Sequence, residues 1–207
     1  MKKKIFTLAA LAICATMLAS GTLAYFTVKD KAHNVITSSK VGIELIEKTK
    51  DKNGAEVDFP KEGISGVMPG DSVSKIVSVK NNGEATAWIR VWVNTAISEP
   101  GDPLTNPTIK NLPLTINVDG KEIPVVTYTV DNTKWTYEDG YYYFNKPVEL
   151  GKSTDILFEA VHFAKEMGNE YQNCKVMIDI SAEAVQYANN PIPDGGDVTD
   201  VKGWPAE

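Results

Sequence analysis

A stretch of alternating apolar and polar residues, Met68 to Val93, limits the folds open to this chain. Between Val73 and Val79 the β-branched residues alternate with Ser and Lys, which predicts a strand with one face in water. Turn residues at 81–83 separate it from a second run whose two faces differ. The two faces are Ala87, Ile89, Val91 and Val93 on one side and Trp88, Arg90 and Trp92 on the other. Because a strand pair with an apolar face is not stable alone in water, the rest of the chain must supply further strands.

Two Asp-Gly pairs predict tight hairpins later in the chain. They are Asp119-Gly120 and Asp139-Gly140, and each lies between two runs rich in β-branched or aromatic residues. Asp-Gly supplies the two positive φ angles that a two-residue hairpin turn requires. The strands predicted on either side are 114–118 with 121–130, and 135–138 with 141–144.

Three more alternating runs complete the fold prediction. They are 41–46, 155–163 and 174–187, and only 163–170 has room for a helical turn. Many short strands joined by turns, with almost no helix, predict an all-β chain: an antiparallel β-sandwich of jelly-roll or Ig-like type. We assign this sandwich domain to residues 41–190. Residues 191–207, rich in Pro, Gly and Asp, are predicted to be a flexible tail without an apolar anchor.

The first 24 residues have the pattern of an export signal. Lys2 to Lys4 precede an apolar run, Ile5 to Leu18, which is short for a membrane span and is followed by small residues. We place the cleavage site after Ala24, with Tyr25 as the near alternative. The sequence thus predicts a signal peptide over residues 1–24, a secreted protein, and no membrane attachment after cleavage.

The segment that follows the cleavage site, residues 25–40, is polar and weakly periodic. Its apolar residues are confined to two spots, Phe26 to Val28 and Val35-Ile36. Two interpretations remain open for it, a loosely held first strand or a mobile N-terminal arm.

Charge and cysteine content exclude some classes of function and fold. The formal net charge is −6, and removal of the three leader lysines makes the remaining chain more acidic. Such a chain has no basic stripe for nucleic acid. Cys174 is the only cysteine outside the leader, so no intrachain disulfide forms after cleavage. It shares strand parity with Val176 and Ile178, which predicts a small buried hydrophobic side chain.

No catalytic or metal-binding motif occurs in the sequence. The two histidines, His33 and His162, lack the His-Glu-x-x-His spacing of zinc peptidases, and His162 lies in a strand pattern that predicts a sheet histidine. Asp194, Asp197 and Asp200 are three residues apart, which does not match a calcium loop. We therefore predict that the protein is not an enzyme, with no catalytic residue, no metal ligand and no cofactor.

The candidate surface for contact with a binding partner consists of the Trp88, Arg90 and Trp92 side chains. An arginine between two aromatic rings suits a cation–π arrangement, and the aromatic-rich run from Trp135 to Phe144 suits stacking on sugars. Ordinary cross-strand packing is the alternative interpretation of the same residues.

Three segments occur together in a recognisable order. They are Gly21-Thr22-Leu23-Ala24-Tyr25-Phe26-Thr27, then Met68-Pro69-Gly70-Asp71 leading to Val79-Lys80-Asn81-Asn82-Gly83, then Tyr171-Gln172-Asn173 with the last strand through Gln186. In combination they resemble the TasA/camelysin family of exported proteins, which are processed by the SipW type of signal peptidase. The resemblance brackets nearly the whole chain.

The resemblance implies a jelly-roll-like sandwich that self-associates into fibres of an extracellular biofilm matrix, on a Gram-positive-type bacterium. In the family the mature N-terminal segment is a donor strand for the next subunit, and that role falls here on Phe26, Thr27 and Val28. Some relatives are described as metallo-endopeptidases, but no zinc motif matches and no catalytic residue is carried over. The expected function is thus a structural matrix protein. A surface module that binds glycan or a host protein and a secreted metallo-endopeptidase are the alternatives.

Overall fold

The computed structural model describes residues 41–60, 68–99 and 109–205, which form twelve strands and three 3-10 turns. The predicted signal peptide with Ala24, and the arm with Tyr25, Phe26, Thr27 and Val28, lie outside the described residues. The strands are β1 (Ile43–Lys50), β2 (Glu56–Asp58), β3 (Ser72–Asn81), β4 (Ala87–Ser98), β5 (Asn111–Leu112), β6 (Thr115–Val118), β7 (Lys121–Pro124), β8 (Val126–Val130), β9 (Trp135–Glu138), β10 (Tyr141–Phe144), β11 (Phe158–Phe163) and β12 (Lys175–Gln186). The 3-10 turns are Asn169–Tyr171, Tyr187–Asn189 and Val198–Asp200.

Two antiparallel sheets enclose a shared core. Sheet 1 has the strand order β2-β1-β3-β11-β8, and sheet 2 has the order β12-β4-β10-β9 with β5 beside the far end of β4. Strands β6 and β7 form a separate two-stranded ribbon. This architecture confirms the predicted all-β antiparallel sandwich.

The inward-facing side chains of β3 and β4 fill the space between the two sheets. Val77 and Val79 from sheet 1 and Ile89 and Val91 from sheet 2 are all fully buried in one cluster. Full burial of each such side chain stabilises the fold by about 1.5–3 kcal/mol. The inner face predicted for the second run is therefore confirmed.

Both Asp-Gly turns have the predicted backbone geometry. The φ angles are 53° at Asp119 and 83° at Gly120, and 47° at Asp139 and 85° at Gly140. Two consecutive positive φ angles match the right-handed twist of the flanking strands. The turns join β6 to β7 and β9 to β10, which confirms both hairpins.

One predicted strand is wrong as a single element. Residues 121–130 divide into β7 and β8, which belong to different sheets. Pro124 has no N–H for a ladder, and Val125 after it turns into the core, where it is fully buried and donates its N–H to the Leu114 carbonyl at 2.8 Å. The proline thus ends the hairpin and lets the chain cross to sheet 1.

The C-terminal segment is packed on sheet 2, so the prediction of a tail without an apolar anchor is wrong. We call residues 190–205 the strap. Val198 and Val201 are buried in it, and Ile192 and Trp204 pack beside them. The side chains of sheet 2 that the strap covers are Trp88, Tyr143 and Val185, with Tyr141 at the margin. Isolated apolar residues between Pro and Gly have no periodicity, so the sequence pattern alone did not indicate this packing.

The short turn in the strap is closed by its own acidic residues. The Asp197 carboxylate accepts hydrogen bonds from the N–H and the hydroxyl of Thr199 at 2.8 and 2.7 Å, and the Asp200 carboxylate accepts from the Asp197 N–H at 3.2 Å. The Thr199 side-chain and backbone donors hold the pKa of Asp197 below its ordinary value. Two residues of the predicted acidic cluster are therefore a cap for the turn.

Asp197→Ala is expected to lower the free energy of unfolding by about 0.5–1 kcal/mol at neutral pH, because the cap is lost. Since the folded-state pKa is lowered, the carboxylate stabilises the fold above its ordinary pKa, and this stabilisation is lost as pH falls through the lowered value. Urea unfolding at neutral and at acid pH measures the difference between variant and parent, which should vanish in acid. Asp194→Ala, an exposed residue of the same segment, is the matched control. Equal losses in the two variants would contradict the capping role.

Candidate functional site

Two long strands lie together at one lateral edge of the sandwich. β12 pairs with β4 along its whole length, and no strand pairs with its other side in the ranges that the structure describes. β1 pairs with β3 from Ile43 to Lys48, while β2 covers only its last three residues. β1 and β12 also contact each other across the sandwich. We call this pair of strands the β1–β12 edge.

Inward-facing apolar residues of the β1–β12 edge are only partly buried. Leu45 of β1 and Val176 and Ile178 of β12 pack against the core but keep part of their surface exposed. Further along β12 the inward residues Ala182 and Ala184 are small and buried. An apolar side chain added beside these residues would gain burial. The edge therefore suits an extended segment with apolar residues at alternate positions.

The opposite lateral edge is shorter and bridged. It is formed by β8 and β9, which have five and four residues, against twelve in β12. The turn from Asp131 to Lys134 joins these two strands and so connects the sheets, with the Asp131 carbonyl accepting from the N–H groups of Lys134 and Trp135. Long unpaired strands invite pairing with another chain, and short ones limit it. The two edges thus differ in their capacity to accept a strand.

A polar contact crosses the sandwich next to Ile178. The hydroxyl groups of Thr95 on β4 and Tyr128 on β8 form a hydrogen bond, and Thr95 is paired with Ile178 in sheet 2. Burial raises the pKa of Tyr128, with the negative charge that Tyr142 would carry adding to the shift and the Thr95 hydrogen bond opposing it. Tyr128 therefore remains a neutral hydrogen-bonding group in the sandwich interior at ordinary pH.

A buried ion pair lies at the end of the β1–β12 edge, at Glu47, the residue before β1 starts to pair with β2. The Lys75 Nζ lies 2.7 Å from Glu47 Oε1 and 3.9 Å from the centroid of the Phe59 ring. The two side chains are 6% and 17% exposed, so this pair is far drier than the Lys50–Glu159 pair on the same sheet, at 48% and 63%. The Phe59 N–H also donates to the Glu47 carbonyl at 3.2 Å. These contacts fix the chain after β2 against β1 and β3.

The outer face of sheet 2 holds the predicted Trp-Arg-Trp set, but the strap covers most of it. Trp88 is 4% exposed and donates its indole N–H to the Asn190 carbonyl at 2.8 Å. Arg90 is 9% exposed, and its Nε and Nη2 donate to one carboxylate oxygen of Glu183 at 2.7 and 2.6 Å. The prediction that Trp88 and Arg90 form a surface contact is therefore wrong, since both are covered by the chain itself.

The aromatic partners of Arg90 also differ from the expected ones. Its guanidinium carbon lies 3.8 Å from the centroid of the Tyr141 ring and 4.7 Å from that of Trp204. Its Nη1 donates to the Tyr143 hydroxyl at 3.3 Å. Trp92 lies beyond this cluster and is 37% exposed. Of the three predicted contact residues, only Trp92 is on the open surface, and its contact with a partner stays a prediction.

His162 and Cys174 both contact neighbouring strands or loops of the sandwich. The His162 ring nitrogens Nδ1 and Nε2 hydrogen-bond with the hydroxyls of Ser72 and Thr129 at 2.7 and 2.9 Å, which confirms a sheet histidine. Cys174 lies directly before β12, half-buried against a cluster with Ile97 at its centre, and burial raises the pKa of its thiol. A raised pKa lowers the thiolate fraction and hence the reactivity.

Neither a metal-ligand cluster nor a membrane-spanning helix occurs in the described ranges. Residues 41–60, 68–99 and 109–205 contain no group of three or more His, Cys, Asp or Glu side chains placed to hold a metal ion. The same residues contain no helix long and apolar enough to cross a membrane. The metallo-endopeptidase alternative and the prediction of no enzymatic activity both stay predictions.

Comparisons of the chain with protein-family models, with curated proteins and with solved structures found no match. The resemblance to the TasA/camelysin family thus stays a prediction that rests on three segments of the sequence. The β1–β12 edge and the outer face of sheet 2 are therefore the features from which we infer function.

Some residues of the outer face were missed in the sequence. Glu183 could have been found, because the alternation along the last strand places it on the polar face, where a partner for Arg90 is expected. Trp204 is an aromatic residue in an otherwise polar segment, which is a weak signal of packing. Tyr141 belongs to the aromatic run 135–144 that the sequence did indicate. Its place beside Trp92 follows only from the register of β10 on β4, which no local pattern specifies.

Proposed function

We propose that this chain is a secreted structural protein of an extracellular biofilm matrix. Its subunits assemble into fibres when the N-terminal arm of one subunit, residues 25–40, pairs with the β1–β12 edge of the next. Export through the signal peptide, cleavage by a SipW-type signal peptidase and location in the matrix or at the surface of a Gram-positive-type bacterium belong to the same proposal. The protein acts by assembly and requires no cofactor.

The open β1–β12 edge is the observation that carries this proposal. A twelve-residue edge strand without proline offers a row of backbone N–H and C=O groups to an incoming strand. The partly buried Leu45, Val176 and Ile178 supply apolar contacts on the inward side of the same edge. Strand addition uses these two features together, main-chain hydrogen bonds for affinity and alternate side chains for register.

The composition of the arm matches such an edge. Phe26 and Val28 are two residues apart, so in an extended strand they point to the same face, and Thr27 points to the other. Donation from one subunit to the next is a head-to-tail contact that joins two different surfaces. Contacts of this kind propagate into filaments when the rotation between subunits does not close a ring.

The test is assembly of the chain from Tyr25 to Glu207, imaged by negative-stain electron microscopy. Phe26→Ser combined with Val28→Ser is expected to abolish fibres, because the arm loses both apolar anchors. Lys29→Ser combined with Asp30→Ser changes two adjacent polar residues and is the matched control, which should still form fibres. Deletion of residues 25–39 should leave a folded monomer with an unchanged circular dichroism spectrum. Normal fibres from the Phe26/Val28 variant or from the deletion would rule out donation by the arm.

A further inference from the structure

The part of sheet 2 that the strap leaves open surrounds one exposed tryptophan, Trp92. Strand register places Tyr141 and Ser181 on either side of Trp92, and the next row pairs Asn94 with Asp179. Directly opposed residues in a sheet have Cβ atoms about 5 Å apart and diagonal ones about 7–8 Å apart. We call these five residues the Trp92 face.

The aromatic side of the Trp92 face adjoins the Arg90 guanidinium, which lies on the same outer face of sheet 2. The Arg90 guanidinium lies 3.8 Å from the Tyr141 ring centroid, and Glu183 fixes that guanidinium with two hydrogen bonds to one oxygen. Glu183 also balances the Arg90 charge. Arg90 therefore stacks on Tyr141 beside Trp92 and brings no uncompensated positive charge to the Trp92 face.

The polar side of the Trp92 face is acidic and exposed. Asn94 and Asp179 are exposed. Glu138 is also exposed, and it lies just outside the face, opposite Tyr141 in the next strand. Within the described part of the chain, the side chains of these three residues make no hydrogen bond or ion pair with one another or with their neighbours. Their carboxylates and amide are thus available to donors from outside, in a chain whose net charge is already −6.

We propose that the Trp92 face binds an oligosaccharide built of hexosamine units with free amino groups. A sugar ring presents a face of C–H groups that packs on an aromatic ring, while its hydroxyls reach polar groups at the margin. Ammonium groups are attracted both by the ring face and by carboxylates such as Asp179 and Glu138. Charge complementarity therefore selects a cationic sugar over an acidic one. This site shares β12 with the β1–β12 edge but lies on the outer face of sheet 2. The proposal does not depend on fibre assembly.

The interleaved polar residues distinguish this surface from a protein-docking patch. One exposed indole surrounded by an amide, a hydroxyl and carboxylates matches a ligand that is polar at its rim and apolar on its faces. A second copy of the chain is the competing occupant. It would bring another acidic surface against Asp179 and Glu138, which like-charge repulsion disfavours.

The experiment measures binding of a glucosamine tetramer and its fully N-acetylated counterpart to the chain from Tyr25 to Glu207, by isothermal titration calorimetry. The cationic tetramer should bind more tightly than the acetylated one. Trp92→Ala is expected to weaken binding of both by about tenfold or more, which is about 1.4 kcal/mol. Asp179→Asn should weaken the cationic tetramer alone. Met177→Ala is the matched control, because Met177 is 39% exposed on the same face, against 37% for Trp92.

Thermal unfolding verifies that each variant is folded before titration. Absence of binding by either tetramer, or equal binding by the parent and Trp92→Ala, would overturn the proposal. So would sedimentation that shows a dimer lost in Trp92→Ala, with no sugar bound, since the face would then belong to a second copy. Equal affinity for the two tetramers would overturn the preference for a cationic sugar.

Discussion

Deleting residues 190–207, and with them the strap, is expected to lower the free energy of unfolding by about 3–6 kcal/mol, because two buried valines at about 1.5–3 kcal/mol each are lost. Val198 and Val201 are only 4% and 1% exposed. The truncation also removes Trp204 from the Arg90 guanidinium. Since domains of this size are stable by only about 5–15 kcal/mol, the loss is a large part of the total.

Urea unfolding followed by circular dichroism measures this change. Truncation after Pro205 removes two residues beyond the strap and is the length control, which should unfold at the parental midpoint. The truncation at residue 189 should also expose Trp88 and Tyr143, so that it binds a hydrophobic dye that the parent does not bind.

If the truncated protein aggregates, Val201→Ala in the full chain, expected to cost about 1–3 kcal/mol, gives the same information. The exposed Lys202→Ala is its matched control. A parental midpoint for the strap deletion would contradict the packing of Val198 and Val201 on sheet 2.

The strap also explains which part of the fold the sequence could predict. The strand positions and the Asp-Gly turns follow from local rules, the period of two and the left-handed preference of two residues. These rules correctly placed Val77 and Ile89 in the core between the sheets and Gly140 in a hairpin turn. They do not specify which strands become neighbours, such as β11 between β3 and β8, because that choice depends on residues far apart in the chain.

The candidate site shows the same division between local and distant causes. Strand parity correctly placed Trp88, Arg90 and Trp92 on one face. Their exposure could not be read from parity, because it depends on Val198 and Trp204, which lie more than a hundred residues later. The break at Pro124 is intermediate, since proline indicates the end of a ladder but not the sheet that the next strand joins.

The second large effect is expected at the buried ion pair that holds the end of the β1–β12 edge. Glu47→Ala leaves the Lys75 ammonium beside the Phe59 ring, without a carboxylate at 2.7 Å and in a site that is 6% exposed. An uncompensated buried charge of this kind destabilises a protein by about 3–5 kcal/mol. Replacement of both partners, Glu47→Leu with Lys75→Met, removes both charges and should change stability far less than the single substitution.

Chemical unfolding of the single variant, the double variant and the parent separates these cases. Glu159→Ala breaks the exposed Lys50–Glu159 pair of the same sheet and is the matched control, with an expected change of at most about 1 kcal/mol. The loss in Glu47→Ala should depend little on salt, because buried pairs are weakly screened. A loss similar to that of Glu159→Ala would mean that the pair is solvated. Because Glu47 lies on β1 of the proposed acceptor edge, Glu47→Ala should also form fewer fibres than the double variant.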